Sequence, residues 1–216
     1  MDPFVYQSLA QRIVFGSATL AAAGEELARL GCSRAFLLTT PQQSQSAEDL
    51  ALNLGKHCVG RFTEAAMHTP VEVTEKALAA STRAGTDCLV ALGGGSTTGL
   101  AKAIALRTDL PQIVIPTTYA GSEATPILGQ TEGGKKTTQR SPKVLPEVVL
   151  YDVELTMTLP PAMSVTSGFN AIAHAIEARY ARERNPLISI LALESVRTLT
   201  SALPRIVSRE ALLLPP

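Results

Sequence analysis

The chain has 216 residues, with 19 Lys plus Arg against 19 Asp plus Glu, a formal net charge of +0. That length suits one large domain or one domain plus part of another. The cancelled charge gives no global field favouring nucleic acid or an anionic membrane surface, so neither is an expected partner. Cys32, Cys58 and Cys88 are scattered, with no C-x-x-C pair, which argues against a disulfide framework and for buried thiols in the reducing cytoplasm. No stretch approaches the ~18 to 20 uninterrupted apolar residues of a membrane span, and residues 1–10 lack the basic and apolar regions of a secretory leader.

From the N-terminus, the pattern alternates strand with helix. Residues 12–15 read as a strand, 18–30 as a helix ending at Gly31, and 35–40 as a strand stopped by Pro41. Residues 47–54 form a helical pattern closed by Gly55, and 59–62 a short strand. Thr69-Pro70 predicts an N-cap with Pro at the first helical position, opening a helix to about Arg83. Further strands fall at 112–115, ahead of Pro116, and at 148–151. Residues 129–141 are the one long polar stretch, a hairpin or solvated loop. Repeated β-α-β units of this length predict a parallel sheet with helices on both faces.

Residues 87–102 read DCLVALGGGSTTGLAK, an apolar run that drives into Gly93, Gly94, Gly95 and Ser96 and then a helix-forming segment at 100–106. Three glycines at a strand end remove every Cβ, so backbone N–H groups can approach a charged oxygen closely. The helix start adds unpaired donors and the positive end of its dipole. The pattern is neither a Walker loop, since Leu100 and Ala101 replace its Lys and Ser/Thr, nor G-x-G-x-x-G, since Thr98 stands where the third Gly belongs. The other reading is a tight turn without ligand.

Strand signals vanish from Leu159 onward, and Pro160-Pro161 opens helical patterns at 162–167, 170–182 and 187–207, the last behind Asn185-Pro186. The chain therefore divides into an α/β domain at 1–154 and the beginning of an all-helical domain at 155–216. Asn170 and His174 stand four apart, which puts both on one helix face, although Asn is a poor metal ligand and two residues do not complete a coordination shell. A hydrogen-bonded core histidine is the alternative. Glu177 is placed either to accept the second imidazole N–H or to form a plain surface i,i+3 pair. His57 and His68 read as ordinary loop residues.

Several segments together resemble the iron-containing alcohol dehydrogenase family: RIVFGSATL near the N-terminus, GGGSTTGLAKAIA, IVIPTTYAGSEATPI at 113–127, LPEVVLYDVELTMTLP at 145–160 and SGFNAIAHAIEARYA at 167–181. The resemblance implies a dinucleotide-binding, Rossmann-like parallel sheet followed by a helical domain. It assigns Gly93, Gly94, Gly95 and Ser96 to the cofactor pyrophosphate, Thr117 and Thr118 to the nucleotide, and Lys136 to the nicotinamide side. Thr39 and Thr40 end the second strand, where NAD-restricted relatives carry an acidic residue; without one, NADH and NADPH both fit. His174 and Asn170 would line the substrate pocket.

Metal-dependent relatives carry Asp and His four apart where this chain has Asn170 and His174, and commonly GGGS-x-x-D where it has Gly99. Asn170 together with TTYAGSE resembles a branch that needs no metal. That branch reduces a carbon–carbon double bond of a small unsaturated oxo-dicarboxylate, and the complete protein is expected to be a homodimer. The alternatives are a metal-dependent alcohol or glycerol dehydrogenase of the same fold, or a non-catalytic nucleotide-binding remnant. The remnant reading rests on the chain having no histidine after His174 and ending in SREALLLPP at 208–216, which reads as a truncation.

Overall fold

Alternation of apolar strands with amphipathic helices builds a six-stranded parallel sheet covered on both faces, in a computed structural model that describes residues 3–207. The terminal SREALLLPP lies outside the described residues. Two compact units are present, Ala10–Met157 and a helical one of residues 158–207 with residues 3–9.

In the first unit, in chain order, the elements are β1 (Arg12–Gly16), α1 (Ala23–Arg29), β2 (Ala35–Leu38), α2 (Ser44–Leu54), β3 (Cys58–Phe62) and α3 (Val71–Arg83). They are followed by β4 (Cys88–Gly93), α4 (Gly95–Thr108), β5 (Gln112–Pro116), the hairpin β6 (Ile127–Glu132) and β7 (Lys135–Arg140), and β8 (Val148–Asp152). The sheet order is β1-β8-β5-β4-β2-β3. From β2 the chain steps outward to β3 and then returns to the other side of β2 as β4, which makes the β2/β4 boundary the topological switch point where open α/β sheets bind ligands. Register sets the strand ends level, pairing Leu38 with Ala91 and Gly93 with Pro116.

The period of two along β4 divides the core. Cys88, Val90 and Leu92 face one layer with Leu27, Leu50 and Leu54, while Leu89 and Ala91 face the other with Leu100, Ala101 and Ile104. Strands buried on both faces read as continuous apolar runs, which is why they were legible.

Several elements differ from their predicted form. The helix expected from residue 18 begins as a 3-10 turn, Thr19–Ala22, because the Asp152 carboxylate takes the amides of Ala18 and Leu20 at 3.2 and 3.0 Å and holds Ala18 left-handed. Thr69 is not an N-cap. Its φ is +48° and no side-chain bond caps α3, so Pro70 is the flanking residue. The patterns at 162–167 and 170–182 fuse into one helix, α5 (Pro161–Tyr180), followed by α6 (Pro186–Val207). Gly168 continues α5 because its missing Cβ leaves room for the Leu203 side chain of α6. The Asn185 side chain accepts the Ile188 amide at 3.1 Å, starting α6 as its sequence predicts. By length and average composition α6 could cross a membrane; Glu194, Arg197 and Arg205 interrupt its apolar run.

Candidate functional site

At the end of β4 the chain turns on Gly93 and Gly94, where neighbouring side chains fill the space a Cβ would take. Gly93 is buried with φ +152°, and a Cβ there would strike the Thr97 hydroxyl and lie 2.5 Å from Gln43 Oε1. A Cβ on Gly94 would lie 2.9 Å from Thr118 Oγ1, a contact that side chains do not make. Helix α4 starts at once, five residues before its predicted start. The amides of Thr97 and Thr98 both donate to the Gly94 carbonyl at 3.1 Å, so those of Gly95 and Ser96, just before them in the first turn, have no acceptor within the helix. These amides point out of the positive end of a 14-residue helix. Among the described residues the buried hydroxyls of Thr97 and Thr39 also have no hydrogen-bond partner. Orphaned donors around a cradle without side chains fit a phosphate group.

A side chain that the sequence did not single out ties the neighbouring strand ends together. Gln43, just before α2, accepts from Thr40 Oγ1 at 3.3 Å and donates through Nε2 to Thr117 Oγ1 at 2.7 Å. The Thr117 amide donates to the Gly93 carbonyl at 3.1 Å. Thr40, Thr117 and Gly93 thus converge, and Thr118 packs on Gly94 from the same loop. Gln43 lies in the polar run PQQSQS. Nothing in that run separates it from a solvated loop residue; only the closeness of the β2 and β5 ends gives it a role.

A cleft of ≈ 290 Å³ opens beside Gly95 and Ser96, with Thr69 and Gly99 in its wall and Lys136 of the hairpin at its other side. His68 lines it too, so it is not the plain loop residue its sequence context implied. His57 instead meets the Ser33 carbonyl at 3.0 Å on an exposed surface. The hairpin is anchored by Lys102, fully buried in α4, whose ammonium donates to the carbonyls of Ser122, Thr125 (2.7 Å) and Ile127 (2.9 Å). Burial lowers the Lys102 ammonium to about 8, opposed by the charge of Glu123. Glu123 is itself buried and accepts from the Tyr151 hydroxyl at 3.1 Å, which burial and that carboxylate hold above the usual tyrosine range.

Asn170 and His174 belong to the helical unit, both exposed on α5. They are therefore not core residues of that unit. His174 Nδ1 lies 3.6 Å from Glu177 Oε2, with both side chains well exposed, a contact too long for a hydrogen bond and weak as an ion pair. Among the described residues no group of three His, Cys, Asp or Glu could hold a metal ion. One imidazole and one neutral amide do not by themselves complete an iron coordination shell.

The family model for iron-containing alcohol dehydrogenase matches residues 10–153. The maleylacetate reductase of Rhizobium sp. (strain MTP-10005) is 62% identical over 94% of this chain and 58% of its own length. That of Sphingobium indicum is 53% identical over 94% and 57%. The crystal structure of maleylacetate reductase from Agrobacterium tumefaciens superimposes with a TM-score of 0.94 at 63% identity, covering 95% of this chain and 59% of that one. The chain thus spans somewhat under three-fifths of the length of these relatives. A glycine cradle at the switch point of a parallel sheet, the helices that follow it and a family match over two-thirds of the residues agree: the chain belongs to the iron-containing alcohol dehydrogenase family.

Proposed function

We propose that the complete protein uses NADH or NADPH to reduce maleylacetate to 3-oxoadipate, a step in the breakdown of aromatic compounds. The observation that carries the cofactor half is the cradle of Gly93, Gly94 and Gly95, with free amides at Gly95 and Ser96 and an unpartnered buried hydroxyl on Thr97. The substrate half is supported by high identity to proteins named for that reaction.

In this reading the amides of Gly95 and Ser96 hold the pyrophosphate, and the Gly94 backbone lies close under it. Thr117 and Thr118 meet the nucleotide with hydroxyls suited to ribose or phosphate oxygens. Thr39 and Thr40 end β2 without a carboxylate, so a 2′-phosphate meets no repulsion there. Lys136 faces the nicotinamide side from the hairpin. When bound, the cofactor supplies the hydride, and the protein supplies orientation and charge. Asn170 and His174 are the groups assigned to a keto or carboxylate oxygen of the small dicarboxylate. Both can hydrogen-bond such an oxygen while neutral, and no step is routed through a metal.

Fluorescence titration of NADH and NADPH into the 216-residue chain tests the first half: saturable binding of at least one is expected, and binding of neither sinks the cofactor site. NADH oxidation by the full-length protein, with and without chelator, tests the second half. Oxidation is expected to depend on maleylacetate and to survive chelation. Alcohol oxidation that requires added metal would move the assignment to a metal-dependent dehydrogenase.

A further inference from the structure

The cleft beside the glycine loop carries two basic side chains, His68 and Lys136, and its lining contains no carboxylate. In a chain whose charges cancel, a pocket with one sign of charge selects an anion.

The backbone adds a second observation. His68 and Thr69 are consecutive non-glycine residues at φ +64° and +48°, a conformation that side chains with a Cβ adopt at a cost and that clusters at ligand sites. The surroundings impose it. The Thr69 carbonyl accepts the Thr131 amide at 3.3 Å, Pro70 bridges to Thr131, and the Thr69 hydroxyl packs where a Gly99 side chain would be. Glycine or asparagine would take the turn more easily. The chain instead carries an imidazole there, exposed on the cleft wall.

We infer that His68 is an anion-binding residue of this cleft, acting with Lys136 and Ser96 on an oxyanion, a cofactor phosphate or a substrate carboxylate. An imidazole donates a hydrogen bond whether neutral or charged, and Lys136 adds a fixed positive charge. The inference rests on the cofactor reading above and deepens it by giving the cleft its ligand chemistry.

The test separates a binding role from a turn role. His68→Gly removes the imidazole and relieves the left-handed strain, so its melting temperature should match or exceed that of the unsubstituted chain. His68→Asn tolerates the same conformation and keeps a donor; should the glycine variant fail to fold, it carries the comparison. NADH is titrated by fluorescence, and maleate, as a small dicarboxylate probe, by calorimetry into the NADH-saturated chain. Losing a hydrogen bond to a charged group should weaken one of the two by about tenfold or more in His68→Gly, with Asn between. Weaker NADH identifies the phosphate; weaker maleate alone identifies the carboxylate. A folded His68→Gly chain that binds NADH as tightly as the parent, with maleate no weaker, overturns the inference and leaves the cofactor site standing. No NADH binding by the unsubstituted chain ends both.

Discussion

The two units solve burial differently. In the α/β unit, α4 is buried along most of its length, from Thr97 to Ala105, and both faces of the sheet are covered. In the helical unit, α5 and α6 bury mainly small residues, Ser164, Gly168, Ala175 and Ala192, while Phe169, Ile190 and Leu191 stay 62%, 65% and 60% exposed. A pair of helices has one seam, and a seam of small residues buries little. The glycine cradle is thus assembled from groups fixed on every side, whereas Asn170 and His174 lie on an exposed helical surface. Substitutions in the first unit should therefore act sharply, and in the second softly.

The largest effect is expected at Lys102. Replacing it with Met keeps the length but leaves the carbonyls of Ser122, Thr125 and Ile127 without their donor, at a cost of about 2–4 kcal/mol in chemical denaturation. The pH dependence carries the same signature. With Lys102 lowered from 10.5 to about 8, the unfolded chain binds more protons than the folded one between those values, so stability from this group rises with pH there. The Met variant should lack that rise; an identical alkaline profile would show that the buried amine is not the source.

Next comes the cradle. Gly94→Val puts a branched side chain against Thr118 and into the phosphate path, while φ at Gly94 is −86° and any residue can adopt it. Folding should survive, and NADH affinity should fall by roughly 30- to 100-fold, the scale of losing charge-assisted bonds. Unaltered affinity would remove the pyrophosphate from this loop.

Two helical glycines give the most direct comparison of the units. On an open helix, Gly→Ala gains up to about 1 kcal/mol. At Gly99 the new Cβ meets Thr69, whose β-branched side chain is buried on a constrained backbone, so a net loss of about 1–2 kcal/mol is expected. At Gly168 it meets Cδ2 of Leu203, with Cδ1 and Cγ at 3.1 and 3.2 Å; Leu203 belongs to a helix pair with open apolar surface and can shift as a whole, so the loss should be smaller, within about 0.5 kcal/mol. Equal losses at both positions would contradict the contrast between the units.

How much of this the sequence carried depends on where each decision was made. The glycine loop was legible because its determinants are contiguous: an apolar strand, three missing Cβ atoms and a helix start. Thr117 and Thr118 were singled out by the family resemblance, and Pro116 marks the end of the strand before them. Gln43 was not, since its role arises only when the ends of β2 and β5 meet. Thr69 obeyed local propensity in reading as a cap, but Thr131 and Gly99 impose a left-handed turn on it, and that turn brings His68 to the cleft. Gly168 reads as a helix break until the α6 side chain that fills its space is known. Tertiary contacts override local preference at each of these positions.

The smallest effect is expected at the edge of the sheet and belongs to acid pH. Arg12 of β1 donates to both oxygens of Glu26 at 2.7 and 3.1 Å, and Glu26, on α1, is buried. The Arg12 hydrogen bond, more than burial opposes it, holds the Glu26 carboxyl below its ordinary 4.5. A carboxylate with a depressed folded pKa contributes stability that is fully present above its unfolded value and is lost as pH falls through the folded one. In Arg12→Ala, among the described residues, Arg29 at 3.5 Å is the cation that still faces Glu26, so burial raises the carboxyl and the loss begins at higher pH. Thermal melts followed by circular dichroism between pH 7 and pH 3 should show the acid limb of the variant displaced toward neutrality. Acid limbs that superimpose would mean that this half-exposed guanidinium does not hold the charge on Glu26.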